Sequence, residues 1–387
     1  MSRNQIILLV VFLVAVGLAV TFGPGLLRKG PKPLKPTPDK TGGGRPFVPA
    51  EKRLLTNVPK DPKAFLVWAF DAPSSVLNVE VVDALGRLPE AWAEELLTKG
   101  LERDEDGEFE DLEVAAAVAF SRARAGATDL VPLLREILDQ SDEDWDVDPF
   151  AARALGAIPG ENALNLLVAM AGREDPDEDV MRVVIPALAG KGGDTARDAI
   201  KGLLDSDETD IQCAAAAALL GFGDADAKRL MDLYFDDPDE SDWDDEDVVA
   251  EVLGIEGSEA ALAYLVRLAT HESWTTRQIV ARSLGRTRLP EAQKVLRDML
   301  ADEDEDVRVC AAAALVRGFG DETGVALLPG AVRAAKDREI ALTALKALLT
   351  LNRPEDRALY QEIMDQPVEK VPQLLFRVWA AYGLLRK

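Results

Sequence analysis

A repeat constrains this chain more than any other feature. Beyond residue 64, a helical stretch ends in an apolar residue followed by a small one. A short turn, a second amphipathic stretch and an acidic run follow, and the pattern restarts. Anchored on Leu85, Phe120, Leu155, Leu188, Leu219, Leu253, Leu284, Leu315 and Leu348, the successive spacings are 35, 35, 33, 31, 34, 31, 31 and 33 residues, and Tyr382 continues the series at 34. A period of this length fits one helix–turn–helix unit, and so long a series signals units that bury their apolar faces on one another. The expected fold is all-α, an α-solenoid of about nine stacked helix pairs over residues 64–387. At about 10 Å per helix layer it would be a curved body about 90 Å long with an extended binding surface.

Composition agrees with closely packed helices. Hydrophobic residues make up 48% of the chain but aromatic residues only 6%. A β-sandwich would need more aromatic and β-branched side chains, whereas Ala and Leu favour helix. Residues 306–336 show the unit most clearly. Val307 to Arg317 reads VRVCAAAALVR, Gly318-Phe319-Gly320 makes the turn, and Leu327, Leu328, Ala331 and Ala335 form an apolar stripe at helical spacing. Asp321 is placed to cap the second helix, with Gly324 as a local weakness early in it, and Asp224 repeats the capping role in its own unit.

The string Val307-Arg308 … Ala311 to Leu315 … Gly320-Asp321 resembles the HEAT-repeat superfamily, and most of all the short HEAT-like repeat named after phycobilisome lyases. The resemblance covers residues 64–387 and speaks to fold more than to function. It implies that an Arg just after the first Val of a unit pairs with the acidic turn. Arg308 and Arg182 occupy that position, and Gln212 departs from it.

The N-terminal region reads differently. Ile6 to Leu27 is 22 residues without a charge. As a helix it is about 33 Å long, enough for a bilayer core of about 30 Å. Ala15-Val16-Gly17 and Gly17-Leu18-Ala19 resemble cleavage sites, but the apolar run continues past both, so residues 1–27 are expected to be an uncleaved transmembrane anchor. Arg28, Lys29, Lys32 and Lys35 on its C-terminal side lean toward a cytoplasmic repeat domain. A five-residue basic tail before a hydrophobic run is also how exported proteins start, so both orientations stay open. Residues 28–63 hold eight prolines and the Gly42–Gly44 run, and are expected to be a disordered linker without helix.

Charge separates the two parts. The linker has ten Lys/Arg against three Asp/Glu, whereas residues 64–387 have 33 against 66. A body this acidic repels phosphate backbones, which excludes nucleic acid as the expected partner. The acidic runs, among them Asp142 to Asp148, Asp236 to Asp247 and Asp302 to Asp306, all fall between one unit and the next, so solenoid geometry lines them along one edge. They favour helix N-termini electrostatically, and they would also attract a basic partner. Asp237 to Ser241 begins like a calcium-binding loop but has Asp242 where glycine is needed and Val248 where glutamate is needed.

Catalytic chemistry is not expected, nor is a cofactor or a metal. His271 is the only histidine, and it reads as a surface residue near a helix end. Cys213 and Cys310 each lie eight residues before a Gly-Phe-Gly-Asp string, in Ala-rich core segments, and read as buried thiols too far apart to pair. Trp145, Trp243 and Trp274 share one slot, ten residues before their anchors. Other units place Glu or Arg there, so the slot is solvated, and large aromatics in it suit recognition of a partner. The alternative is that the rings fold back between units. The candidate partner-binding residues are therefore Trp145, Trp243 and Trp274 with the neighbouring Asp144, Asp146, Asp242, Asp244 and Asp245. The expected function is a membrane-tethered scaffold, not an enzyme, that binds a protein partner with a basic surface. The alternative implied by the resemblance is a lyase or lyase-like chaperone for a protein-bound chromophore.

Overall fold

The fold is given by a computed structural model that describes Leu55 and residues 58–72, 75–141, 146–173, 177–236, 246–334, 337–368, 370 and 372–386. Among these residues there are twenty α-helices, and the only β-pairing is an isolated bridge between Arg103 and Phe109. The even-numbered helices form an inner layer: α2 (Ser75–Leu85), α4 (Leu112–Arg124), α6 (Asp148–Ala157), α8 (Glu178–Lys191), α10 (Thr209–Leu220), α12 (Glu246–Glu256), α14 (Trp274–Thr287), α16 (Glu305–Ala314), α18 (Arg338–Leu351) and α20 (Pro372–Leu385). The odd-numbered helices form the outer layer: α1 (Pro62–Phe70), α3 (Ala91–Lys99), α5 (Val131–Ser141), α7 (Glu161–Ala171), α9 (Gly193–Gly202), α11 (Ala225–Asp236), α13 (Glu259–Leu268), α15 (Pro290–Met299), α17 (Leu328–Ala334) and α19 (Arg357–Asp365).

Each inner helix packs on the next inner helix, and most outer helices pack on the two inner helices that flank them. Small residues make the inner layer the tighter one. Ala214 to Ala218 of α10 and Ala311 to Ala314 of α16 are buried, and their short side chains let the backbones approach. Glycine does this most strongly just after two of the anchors. A Cβ on Gly254 would come within 2.3 Å of the Ser283 Cβ, and one on Gly86 within 1.7 Å of the Ser121 hydroxyl oxygen. Bulk on the outer layer and close contact on the inner layer turn each unit relative to the last.

The accumulated turn closes the molecule. Helix α20 packs against both α1 and α2, so α1 serves as the outer helix of a tenth unit whose inner helix is α20. The expectation of a curved body about 90 Å long with an extended binding surface is therefore corrected to a ring of ten units whose small rotations sum to closure. The closure is sealed by polar contacts. Glu80 of α2 accepts a 2.7 Å hydrogen bond from the Trp379 indole of α20, and a 3.2 Å ion pair from Lys346 of α18. Arg377 of α20 donates to the carbonyl of Pro59.

Two local expectations are corrected as well. Helix α1 starts at Pro62, inside the segment expected to be free of helix. The Asp61 side chain accepts the Ala64 N–H at 2.8 Å, and proline at the first helical position has no intrahelical N–H bond to lose. Asp321 does not cap an α-helix. Gly324 takes a left-handed φ of 85°, which delays α17 to Leu328, and Asp321 instead accepts the Thr323 N–H and hydroxyl at 2.9 and 2.6 Å. Asp224 caps α11 as expected, accepting the N–H groups of Asp226 and Ala227. The expected membrane anchor, residues 1–27, lies outside the described residues, as does most of the linker. No helix among the described residues is long and apolar enough to cross a membrane.

Candidate functional site: two rims and a lumen

All inner helices run the same way, so their N-termini share one rim of the ring and their C-termini the other. The N-terminal rim is built by caps. Asp111, Asp177, Ser273, Asp304 and Asp337 each accept a backbone N–H from the first turn of the helix they precede. This satisfies donors that the helix itself leaves open. Arginines then tie neighbouring units along this rim. Arg277 holds both oxygens of Asp302, at 2.8 and 2.9 Å, and donates to the carbonyls of His271 and Glu272. Arg308 donates to the carbonyls of Asp302 and Glu303, and Arg182 pairs with Asp210. Gln212 keeps the pattern where it lacks an arginine, donating at 2.9 Å to the Leu204 carbonyl. Several carboxylates of the expected acidic edge are thus engaged as caps and ion-pair partners. The Arg277 guanidinium holds the Asp302 carboxyl below the usual range.

Of the candidate partner-binding residues, Trp274 and Asp146 are described. Trp274 is the first residue of α14 and is 47% exposed. Its neighbours turn inward to cap and pair while the indole stands out from the rim. Asp146 is exposed just before α6. Trp145, Trp243, Asp144, Asp242, Asp244 and Asp245 lie outside the described residues. His271 sits two residues before the Ser273 cap, half-buried, its Nδ1 accepting the Ser273 N–H at 3.2 Å. Cys213 and Cys310 are free and buried, and burial pushes the Cys310 thiol up to about 12. Among the described residues, no group of three His, Cys, Asp or Glu side chains is placed to hold a metal ion.

The sequence reading missed the inner face. Glu80, Lys346 and Trp379 come together only because the ring closes. Arg87, just after α2, pairs with Asp83, and Arg286 of α14 pairs with Glu251. Each arginine lies two residues after its anchor, so the repeat register carried that signal.

Comparison with known proteins bears on the fold. The family profile for HEAT repeats matches residues 108–178 and 239–316. No curated protein sequence matches the chain. Among solved structures, that of human deoxyhypusine hydroxylase in complex with glycerol is similar at 18% identity. The match covers 67% of this chain and 84% of that one, with a TM-score of 0.26, too loose to carry an argument. The ring is thus an all-helical repeat array with HEAT repeats in two regions of the chain.

Proposed function

We propose that this chain is a non-catalytic scaffold, tethered to a membrane through residues 6–27 and the basic segment that follows, that binds a protein partner at the N-terminal rim of the ring. HEAT repeats stack into rigid surfaces suited to holding other proteins. The observation that carries the reading is Trp274, 47% exposed at the first position of an inner helix. An indole held by a capped helix start loses little entropy on binding, and it offers a large apolar face beside carboxylates. A partner with a basic, partly apolar patch fits that chemistry. The reading of a chromophore lyase acting through a thiolate is disfavoured by the burial of both cysteines.

The test is site-specific photo-cross-linking in native membranes, with the full chain carrying a benzophenone residue at position 274 or, as a control, at half-exposed Arg197 on the outer layer. The scaffold reading expects one discrete protein adduct from position 274 and none from position 197. Equal adducts from both, or none from 274, overturns the rim as the binding surface. Recovery of the chain in the soluble fraction after carbonate washing overturns the tether.

A further inference from the structure

The seams of the ring are not all alike. In the middle of the array, inner helices meet through small residues: Ala214 to Ala218 in α10, Ala311 to Ala314 in α16, and Gly254 of α12 against Ser283 of α14. The seam between α20 and α2, where the two ends of the array meet, is built with charge. Glu80 is 7% exposed and Arg377 3%, and Lys346 is half-buried. The Trp379 indole donates to Glu80 at 2.7 Å, and Lys346 and Arg87 flank its ring, 4.6 and 5.5 Å from the centre.

Charge of this kind closes a seam weakly. The attraction between buried ions is offset by the hydration they give up, so a seam held by them costs little to open when both partners return to water together. Separating small apolar surfaces costs in proportion to their area, with nothing regained. Arg377 adds to the contrast. Its hydrogen bonds among the described residues go to the carbonyl oxygens of Gln366 and Pro59, and burial lowers its pKa. Opening the seam would rehydrate it.

Helix α1 is the strap over this seam. It has nine residues, packs on α20 and α2, and buries Phe65, Leu66, Ala69 and Phe70. At its N-terminus it is held by the exposed Asp61 cap and by the contact of Arg377 with Pro59. The chain enters the ring here, so a pull on the residues before Pro59 acts on the strap before any other element.

We propose that the α20–α2 seam is a gate. The strap lifts, Glu80, Lys346 and Arg377 return to water, and the ring opens at this one place while the apolar seams of the middle units stay shut. The closed state is regained when α1 lies back over the seam. The gate belongs to units nine, ten and one. It stands apart from Trp274 in unit seven and does not depend on the partner reading.

The test uses the full chain in detergent, with spin labels on Glu95→Cys in α3 and Gln361→Cys in α19, two exposed positions on either side of the seam. Cys213 and Cys310 are buried and stay unlabelled. Pulsed electron resonance should give two distances, the longer from the open ring. Glu80→Ala breaks the pair from one side and should raise the long-distance fraction about threefold or more. Glu80→Leu/Lys346→Met/Trp379→Phe replaces the polar members together by apolar groups and should lower it by a similar factor. In a separate variant, Ala69→Cys in α1 should react with a thiol reagent about tenfold or more faster than native Cys310, the reference for the middle units. A single distance in the parent chain overturns the gate, and fast labelling at position 69 would then be α1 fraying alone. Labelling at position 69 as slow as at Cys310, or a long-distance fraction undiminished by the triple variant, overturns it as well.

Discussion

The Trp379 indole donates a 2.7 Å hydrogen bond to Glu80 across 299 residues of chain. Both side chains are buried, Glu80 at 7% exposure and Trp379 at 3%, and Lys346 approaches the same carboxylate while lying 4.6 Å from the centre of the Trp379 ring. One carboxylate therefore joins units one, nine and ten. A solenoid has two ends that expose apolar faces and need capping. Here each end caps the other.

Removing the Glu80 carboxylate should open this seam. Glu80→Ala leaves a half-buried Lys346 ammonium and a buried indole N–H without their acceptor, a loss of about 1–3 kcal/mol. The expected outcome is a lower Tm together with a larger radius of gyration in small-angle scattering. A lower Tm with an unchanged radius would mean that the apolar contacts of α20 with α1 and α2 hold the ring by themselves.

The small residues on the inner layer predict a pair of opposite effects. Gly254→Leu drives a side chain into Ser283 and should destabilise by about 1–3 kcal/mol or more, the usual range for overpacking. Gly190, in the helical stretch of α8, has nothing near the place of a Cβ. Gly190→Ala should therefore stabilise by about 0.5–1 kcal/mol through helix propensity and unfolded-state entropy. Chemical denaturation of the two variants measures both.

Acid should unfold the ring in a defined window. Asp321 is held well below the usual carboxylate range: desolvation opposes this, and bonds from Thr323, Gln293 and Arg297 outweigh it. Asp224 is lowered by the Ala227 N–H and by Lys201, and Asp302 by Arg277. A folded pKa below the unfolded value contributes stability that is present above about pH 4 and lost as pH falls below it. Glu178, Glu256 and Glu339 are raised by desolvation, so they act in the other direction and cost stability as pH rises above about 4.5. Tm measured from pH 6 down to pH 3 should fall, and Asp321→Asn should flatten the fall.

Thiol chemistry reads the integrity of the inner layer. Both cysteines are buried in inner helices, and the Cys310 thiol stays protonated at pH 8 because burial raises it to about 12. A thiolate-specific disulfide reagent should label neither residue in the folded chain and both in denaturant. Prompt labelling of Cys310 without denaturant would show α16 to be accessible.

Trp274 gives a solution measure of the N-terminal rim. In a variant that retains Trp274 as its sole tryptophan, acrylamide should quench the emission strongly. A variant that retains only buried Trp379 should be quenched several-fold less. Equal quenching in the two would place the Trp274 ring between units.

The sequence by itself determined the repeating unit and its phase. Spacings of 31–35 residues fix where each helix pair begins. The small residue after most of the anchors marks where inner helices meet, and the Gly-Phe-Gly-Asp strings mark turns. These are local properties, written by period and propensity within one or two units. The capping role of Asp224 was legible for the same reason, whereas that of Asp321 was lost to the left-handed backbone at Gly324. Only the tertiary structure decided that the array closes. Closure depends on a small rotation per unit summed over ten units, and an error of a few degrees in each would leave an open spiral. That sum brings Glu80 to Trp379 and Lys346. The latch rests on contacts between residues far apart in the chain, which the period of a repeat does not encode.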